Sequence, residues 1–324
     1  MRTPLGVTLG TLVAASLVLA LPGRLAWSEA DRTIRIVIPV PPGGSIDLLA
    51  RIVADQISST ASQPMIVESK PGAGGIIAAE MVARAAPDGN TLLINNNGMI
   101  ISSILRKVNF DPLTSFEPIC YLVSTPQIIA VNSASPYRTL ADLVDAARAK
   151  PGELSIASVG PNTTQHIGIE RFKQLAHAEL TYVPYPGGAT TINALLGEHI
   201  TAAVLNWSEV GEHILAGKAR PLATMSLQHI EPLPDLPTVA ESGYKDFETD
   251  VWFGVVAPAK TPKDTINQLI DWFRTAVVAP QVKSKLVAQA LYPNPKCGAD
   301  FDAHLRKQTA LYTQLVHNLN IKAE

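Results

Sequence analysis

The feature that most constrains this chain is an alternation of short β-branched runs with stretches of helical spacing. Ile34 to Val40 reads as a strand, and Leu48 to Ser58 repeats apolar residues at helical spacing. Met65 to Glu68 is strand-like, Ile76 to Ala86 is helical, and Thr91 to Ile94 is a further short strand. A β-α-β-α-β order predicts a parallel sheet covered by helices, with right-handed crossovers that bring the strand-to-helix loops to one edge. The pattern returns later. Leu154 to Ser158 precedes a helix over His166 to Ala178, Leu180 to Val183 precedes one over Thr190 to Glu198, and Ile200 to Leu205 and Ala219 to Met225 are strands. Amphipathic helices over Leu140 to Ala149 and Thr265 to Ala276 flank this second set. A chain of 324 residues exceeds what one compact core usually takes, so the two sets predict two α/β lobes.

Residues 1–30 stand apart. Arg2 precedes an apolar run from about Leu5 to Leu21, and Ser28 and Ala30 supply small residues at −3 and −1 of a cut after Ala30; Ala26 offers a second cut site. The pattern predicts a cleaved signal peptide and an exported, periplasmic mature chain. The rival reading is a membrane anchor, but the run is short for a span and is interrupted by Gly6, Thr8, Gly10 and Thr11. A formal net charge of −2, without a block of like charges, offers no surface for neutralising phosphates, so no nucleic-acid partner is expected. Export permits a disulfide between Cys120 and Cys297, and their spacing does not decide whether one forms. Cys120 lies in the apolar run Pro118 to Val123 and is expected to be a buried small hydrophobe.

Four loops carry the chemistry. Pro39 to Asp47 joins the first strand to its helix: prolines stiffen it, Gly43 and Gly44 let the backbone approach a ligand, Ser45 is expected to cap the helix, and Asp47 in the first turn favours its dipole. Free N–H groups at that helix end form an anion site. The competing reading is a tight turn with a capped helix and no ligand. The loop Lys70 to Gly75 allows the same two readings, and it matches neither a phosphate loop nor a dinucleotide fingerprint. In the second set, Ser158, Asn162, Thr163 and His166 lie in one loop, and Gly187, Gly188, Ala189 and Thr190 in another. All four loops sit at carboxyl ends of strands, where open α/β sheets bind ligands. Two facing lobes would aim several helix N-termini into one cleft, which suits an anion without clustered Lys or Arg.

Enzyme readings find little support. There is no G-x-S-x-G elbow and no H-E-x-x-H, and His213, His229 and His304 have no metal-ligand spacing, so neither a cofactor nor a metal is implied. A hydrolase using Ser45 or Ser158 with His166 is the enzymatic alternative. Trp207 and Trp252 are candidates for the cleft, although Trp252 fits a core or lobe-interface position equally well.

Taken in order, these segments resemble the substrate-binding proteins of tripartite tricarboxylate transporters, the Bug family. Pro39 to Asp47 looks like the family's first-strand loop, and Pro71-Gly72-Ala73-Gly74-Gly75 matches its P-G-A-G-G segment. Ala86-Pro87-Asp88-Gly89 with Thr91-Leu92-Leu93, Val183-Pro184-Tyr185 with Gly187-Gly188, Leu233 to Gly243, and Trp252-Phe253-Gly254 with Ala257-Pro258 follow in the family's order. The resemblance implies an α/β, two-lobed periplasmic binding protein, a Venus flytrap of type II-like form with two crossover strands. Residues 31–127 plus 251–324 would form one lobe and 128–250 the other. It also implies that a small di-, tri- or aromatic carboxylate is captured by lobe closure and delivered to membrane permease subunits, by a chain expected to be monomeric and not an enzyme. A ligand-presenting partner of a membrane sensor kinase would share the pocket. The carboxylate would meet Gly43, Gly44 and Ser45 on one lobe and the Ser158–His166 and Gly187–Thr190 loops on the other, with Asn96 and Asn97 lining the cleft. Many members carry an Asp where this chain has Asn206, followed by Trp207. Asn supplies no negative charge for an amino group, which argues against an amino-acid ligand, while Trp207 is expected to stack on a flat one.

Overall fold

The computed structural model describes residues 33–161, 163–319 and 321; the predicted signal peptide and Asn162 lie outside the described residues. Two separate sheets form. The first contains β1 (Ile34–Ile38), β2 (Met65–Ser69), β3 (Thr91–Asn96), β4 (Phe116–Thr125), β10 (Val251–Pro258) and β11 (Tyr292–Cys297), in the order β11-β4-β10-β3-β1-β2. The second contains β5 (Gln127–Asn132), β6 (Ser155–Val159), β7 (Thr181–Tyr185), β8 (Ala202–Asn206) and β9 (Ala219–Thr224), in the order β7-β6-β8-β5-β9.

The expectation of parallel sheets holds only in part. β1 pairs in parallel with β2 and β3, and β6 with β7 and β8, as the β-α-β alternation requires. The strands that follow a change of lobe run the other way, and so does the edge strand β11, which is antiparallel to β4. β10 is antiparallel to β3 and β4, and β5 is antiparallel to β8 and β9. A strand entering from the other lobe is free of the βαβ handedness constraint: β10 lies between β4 and β3, and β5 between β8 and β9. Every residue of β10 is buried, which fits a central strand covered on both faces.

Helices cover each sheet through the stripes the sequence spells out. In α1 (Ser45–Ala61), Leu49, Val53 and Ile57 recur every four residues and are fully or nearly fully buried against the first sheet. Each such side chain contributes roughly 1.5–3 kcal/mol on burial. α8 (Lys263–Val278) returns to the same core through Leu269, Phe273 and Val277. In the second lobe, α4 (Leu140–Ala149) starts at a capping box in which Thr139 and Asp142 satisfy each other's backbone N–H groups. α10 (Ala299–Asn318) packs so closely on β10 that a Cβ at Gly254 would collide with the Phe301 ring. Among the described residues, no helix is long and apolar enough to cross a membrane.

The chain passes between the sheets at Pro126 and returns through residues 225–250. Asn97 locks the return: its amide donates to Asp250 O (3.2 Å) and to the Tyr312 hydroxyl (2.7 Å), and its carbonyl accepts from Trp252 N–H (3.0 Å). Cys120 is fully buried, yet it is not a lone hydrophobe. It forms a disulfide with Cys297. The two cysteines are directly paired across β4 and β11, with Cα atoms 4.0 Å apart. The run around Cys120 marked a buried strand, but its cross-strand neighbour lies 177 residues away and only sheet pairing identifies it.

Candidate functional site

The loops at the carboxyl ends of β1, β2 and β3 face those of β6 and β8 across a cavity of about 480 Å³. The first lobe presents the beginning of α1. The cap expected at Ser45 is not there: Ser45 is already helical, and the N-cap residue, Gly44, has extended backbone and no side chain, so the first-turn N–H groups remain for an occupant. Gly43 sits at φ +99°, a conformation that favours glycine, and donates its N–H to Asp47 Oδ2 at 3.0 Å. The Arg51 guanidinium, 3.0 Å from Asp47 Oδ1, holds the Asp47 carboxyl below its usual range. Asp47 therefore braces the loop from behind the helix start.

Ser45 lines the cavity, and its Oγ lies 2.9 Å from Ser208 Oγ on the second lobe. The lobes thus touch across the cleft. From the second loop, Gly72, Gly74 and Gly75 add backbone to the wall. Asn95 and Asn96 end β3 at the cavity. The Asn96 carbonyl accepts from Gly98 N–H at 2.8 Å, capping α3 (Asn97–Leu105). Asn95 is 3% exposed, and its amide nitrogen, Nδ2, has no hydrogen-bond partner.

On the second lobe, Thr163 caps α5 (Thr164–Ala176) by accepting from His166 N–H at 3.2 Å, and Thr163, Thr164 and Gln165 line the cavity. Asn206 and Glu209, at the start of α7 (Trp207–Leu215), complete that wall. Glu209 Oε2 accepts from Asn206 N–H at 2.9 Å, and burial pushes the Glu209 carboxyl above its usual range. Asn206 and Glu209 are arranged as a capping box at the start of α7, in which the buried Asn206 Oδ1 faces the Glu209 N–H without closing a full hydrogen bond. Of the described residues that line the cavity, two are charged: Arg106 from the first lobe and Glu209 from the second.

The structure brings Gly44, Ser45, Asn96, Thr163 and Asn206 together around this cavity, and it places other expected residues elsewhere. Gly43 shapes the loop behind it. Asn97 is 1% exposed and belongs to the crossover clamp; Asn95 reaches the cleft instead. Ser158 is fully buried, with its Oγ 3.1 Å from the Tyr182 hydroxyl, and the His166 ring stacks on Tyr182 with centroids 4.2 Å apart. Neither lines the cavity. Gly187, Gly188, Ala189 and Thr190 open α6 (Gly188–Leu196) on the edge strand and also lie away from the lining. Gly188 acts indirectly, because a Cβ there would come within 2.5 Å of Glu209 Oε1. Trp207 is 6% exposed and folds over Gly211 in the second lobe's core, so its indole is spent on packing and does not face a ligand. The sequence reading missed Glu209, whose only local signal was its place three residues after Asn206, a spacing that also describes an ordinary helix start.

Residues 49–321 match the tripartite tricarboxylate transporter family receptor. The chain belongs to this family. It is 32% identical over 312 residues to a UPF0065 protein of Cupriavidus necator, covering 94% of this chain and 95% of that one. It is 30% identical to BugT of Bordetella pertussis over 87% of this chain and 89% of the relative. Among solved structures, an R. palustris protein with adipate superposes with a TM-score of 0.82 at 30% identity, covering 91% of this chain and 99% of that chain. The two sheets of this family member are accordingly the two lobes of a periplasmic binding-protein fold.

Proposed function

We propose that this chain is a periplasmic receptor that captures a small carboxylate between its lobes and delivers it to the membrane permease subunits of a tripartite tricarboxylate-type transporter. The observation that carries the reading is the uncapped start of α1, aimed into a cleft that both lobes close. A carboxylate seated there accepts main-chain hydrogen bonds and meets the positive end of the helix dipole. A ligand that contacts both lobes only when they are together shifts the open–closed equilibrium toward the closed form. This reading takes 31–127 plus 251–324 as one lobe and 128–250 as the other, a division supported by the strand membership of the two sheets. It also takes the receptor as a monomer that binds without turnover. The adipate-bound relative supports a carboxylate as the ligand class.

The test is calorimetric titration of the mature chain with adipate, glutarate and ω-amino carboxylates, repeated on Ser45→Pro. Proline is tolerated at the first helical position and removes one N–H and the hydroxyl while keeping the turn. A charge-assisted hydrogen bond contributes roughly 1.5–3 kcal/mol, so affinity should fall about 10- to 100-fold with little change in unfolding temperature. Equal affinity in the variant would remove α1 from the site.

A further inference from the structure

The floor of the cleft holds a donor that the protein itself leaves unused. Parallel pairing sets Val37 of β1 beside Leu93 of β3, and two residues further on Asn95 and Pro39 both line the cavity. The Asn95 amide is held in one orientation, because its Oδ1 accepts from Asn96 N–H at 2.8 Å. Nδ2 is left over. It has no hydrogen-bond partner, on a residue only 3% exposed. A glycine keeps the space beside it clear: Gly75 sits at φ +94°, and a Cβ there would stand 3.2 Å from Pro39 Cβ and 3.9 Å from Asn95 Nδ2. A buried donor without an acceptor costs free energy until something in the cavity supplies one. The lining near it is largely apolar, with Val40, Val159, Val251 and Phe253. The two charged lining residues are of opposite sign and come from opposite lobes, and Arg106 is exposed at the end of α3.

We propose that Asn95 Nδ2 reads an uncharged oxygen acceptor on the ligand, so that the preferred ligand is a carboxylate whose carbon chain also carries an oxo or hydroxyl group. The inference deepens the carboxylate-receptor reading and rests on it. The carboxylate lies at the start of α1, and the oxo or hydroxyl oxygen accepts from Asn95 at the floor. An amide among apolar side chains satisfies a neutral oxygen fully. A second carboxylate taken out of water there would need a cation to offset its burial, and Asn95 supplies only a dipole. An unsubstituted carboxylate of the same length would leave Nδ2 unpaired. Sites built around a buried hydrogen-bonding group discriminate strongly against analogues that lack its partner.

The experiment compares, by calorimetry at neutral pH, 2-oxo-, 4-oxo- and 5-oxohexanoate with hexanoate and adipate. At least one oxo acid should bind about tenfold or more tightly than both, the gain expected from satisfying one buried donor. In Asn95→Ala, which removes the donor and adds no charge, the preference of that oxo acid over hexanoate should shrink to about threefold or less. A purely structural role for Asn95 would weaken every probe alike and leave this ratio unmoved. Asn95→Asp is the second variant: it keeps an oxygen for Asn96 N–H and puts an acceptor where the donor was. The ketone preference should vanish there, while the matching hydroxyhexanoate, whose hydroxyl can turn and donate, should keep more of its affinity. A ratio unchanged in the variants would overturn the inference. No oxo acid binding better than hexanoate, or adipate matching the best oxo acid, would overturn it too, and with the Ser45→Pro loss intact the carboxylate reading would stand. Absence of binding by every probe to folded, ligand-free protein would overturn the carboxylate reading itself, and this inference with it.

Discussion

The cleft between the lobes and a second cavity behind the crossovers are walled by the same two lobes but use polar groups differently. The cleft wall is mostly main chain, glycine and uncharged amide, with Arg106 and Glu209 as its charged side chains. The rear cavity, about 580 Å³, is the larger and is lined by Tyr121, Asp250, Trp252, Tyr292, His304 and Tyr312 among others. There the aromatic rings pack edge to face: Tyr121 and Trp252 against both Phe301 and His304. Burial lowers His304 to about 4 and lifts Tyr312 to about 12. The rear also contains unpartnered atoms, at Trp252 Nε1 and His304 Nε2. Neither volume nor orphaned atoms alone separates the two. The difference lies in the free helix start and the glycine loops, which only the front has. The front is built to be completed by an occupant, and the rear holds the crossovers that let the lobes meet.

That contrast predicts that rear changes move stability and leave front selectivity alone, whereas Ser45→Pro does the reverse. The largest effect should come from the disulfide that ties β11, and with it Tyr292 and Lys296 of the rear wall, to β4. Replacing both cysteines by alanine should cost about 5 kcal/mol by loop-closure entropy, read as a lower denaturation midpoint. Ligand ranking at low temperature should stay as in wild type, and a changed ranking would break the comparison.

Next is the pH response of Asp250. Burial pushes its carboxyl up from 3.8 to about 7, against the opposing hydrogen bond from Ser226, whose Oγ lies 2.7 and 2.9 Å from its oxygens. The folded state therefore holds this proton more tightly than the unfolded chain does. Stability from this group is fully present below the unfolded value of 3.8 and is lost as pH rises through about 7, a change on the order of a few kcal/mol. Asp250→Asn should flatten that slope and be the more stable protein at pH 8, as measured by denaturant unfolding across the range. A slope unchanged in the variant would assign it to other groups.

The smallest of the three is Asn97→Ala. It strips partners from Asp250 O, Tyr312 and Trp252 N–H and should lower stability by about 2 kcal/mol. Affinity for the same probes should change less than threefold. A larger affinity loss would mean that the clamp also sets the closed geometry of the front.

Much of this was legible in local pattern. The apolar stripe Leu49, Val53, Ile57 specified α1, and amphipathic spacing marked α4 over Leu140 to Ala149, where the structure adds the cap formed by Thr139 and Asp142. Gly44 and Ser45 were found because a loop between a strand and a helix must expose the helix's first N–H groups. The errors share one cause. Asn97 and Trp207 look like cleft residues from their place after strands, yet one is spent on a crossover and the other on Gly211. Local sequence says which loop a side chain is on, not which of its neighbours claims it first.

By itself, the sequence determined the α/β class, the two sets of strands and the first-strand loop, since each follows from periodicity and turn chemistry within some ten residues. Only the tertiary structure decided that β5 and β10 enter antiparallel and that Cys120 pairs with Cys297. It also decided that Glu209, not Trp207, faces the cleft. These depend on contacts between segments far apart in the chain, where packing and hydrogen-bond competition, not propensity, select the partner.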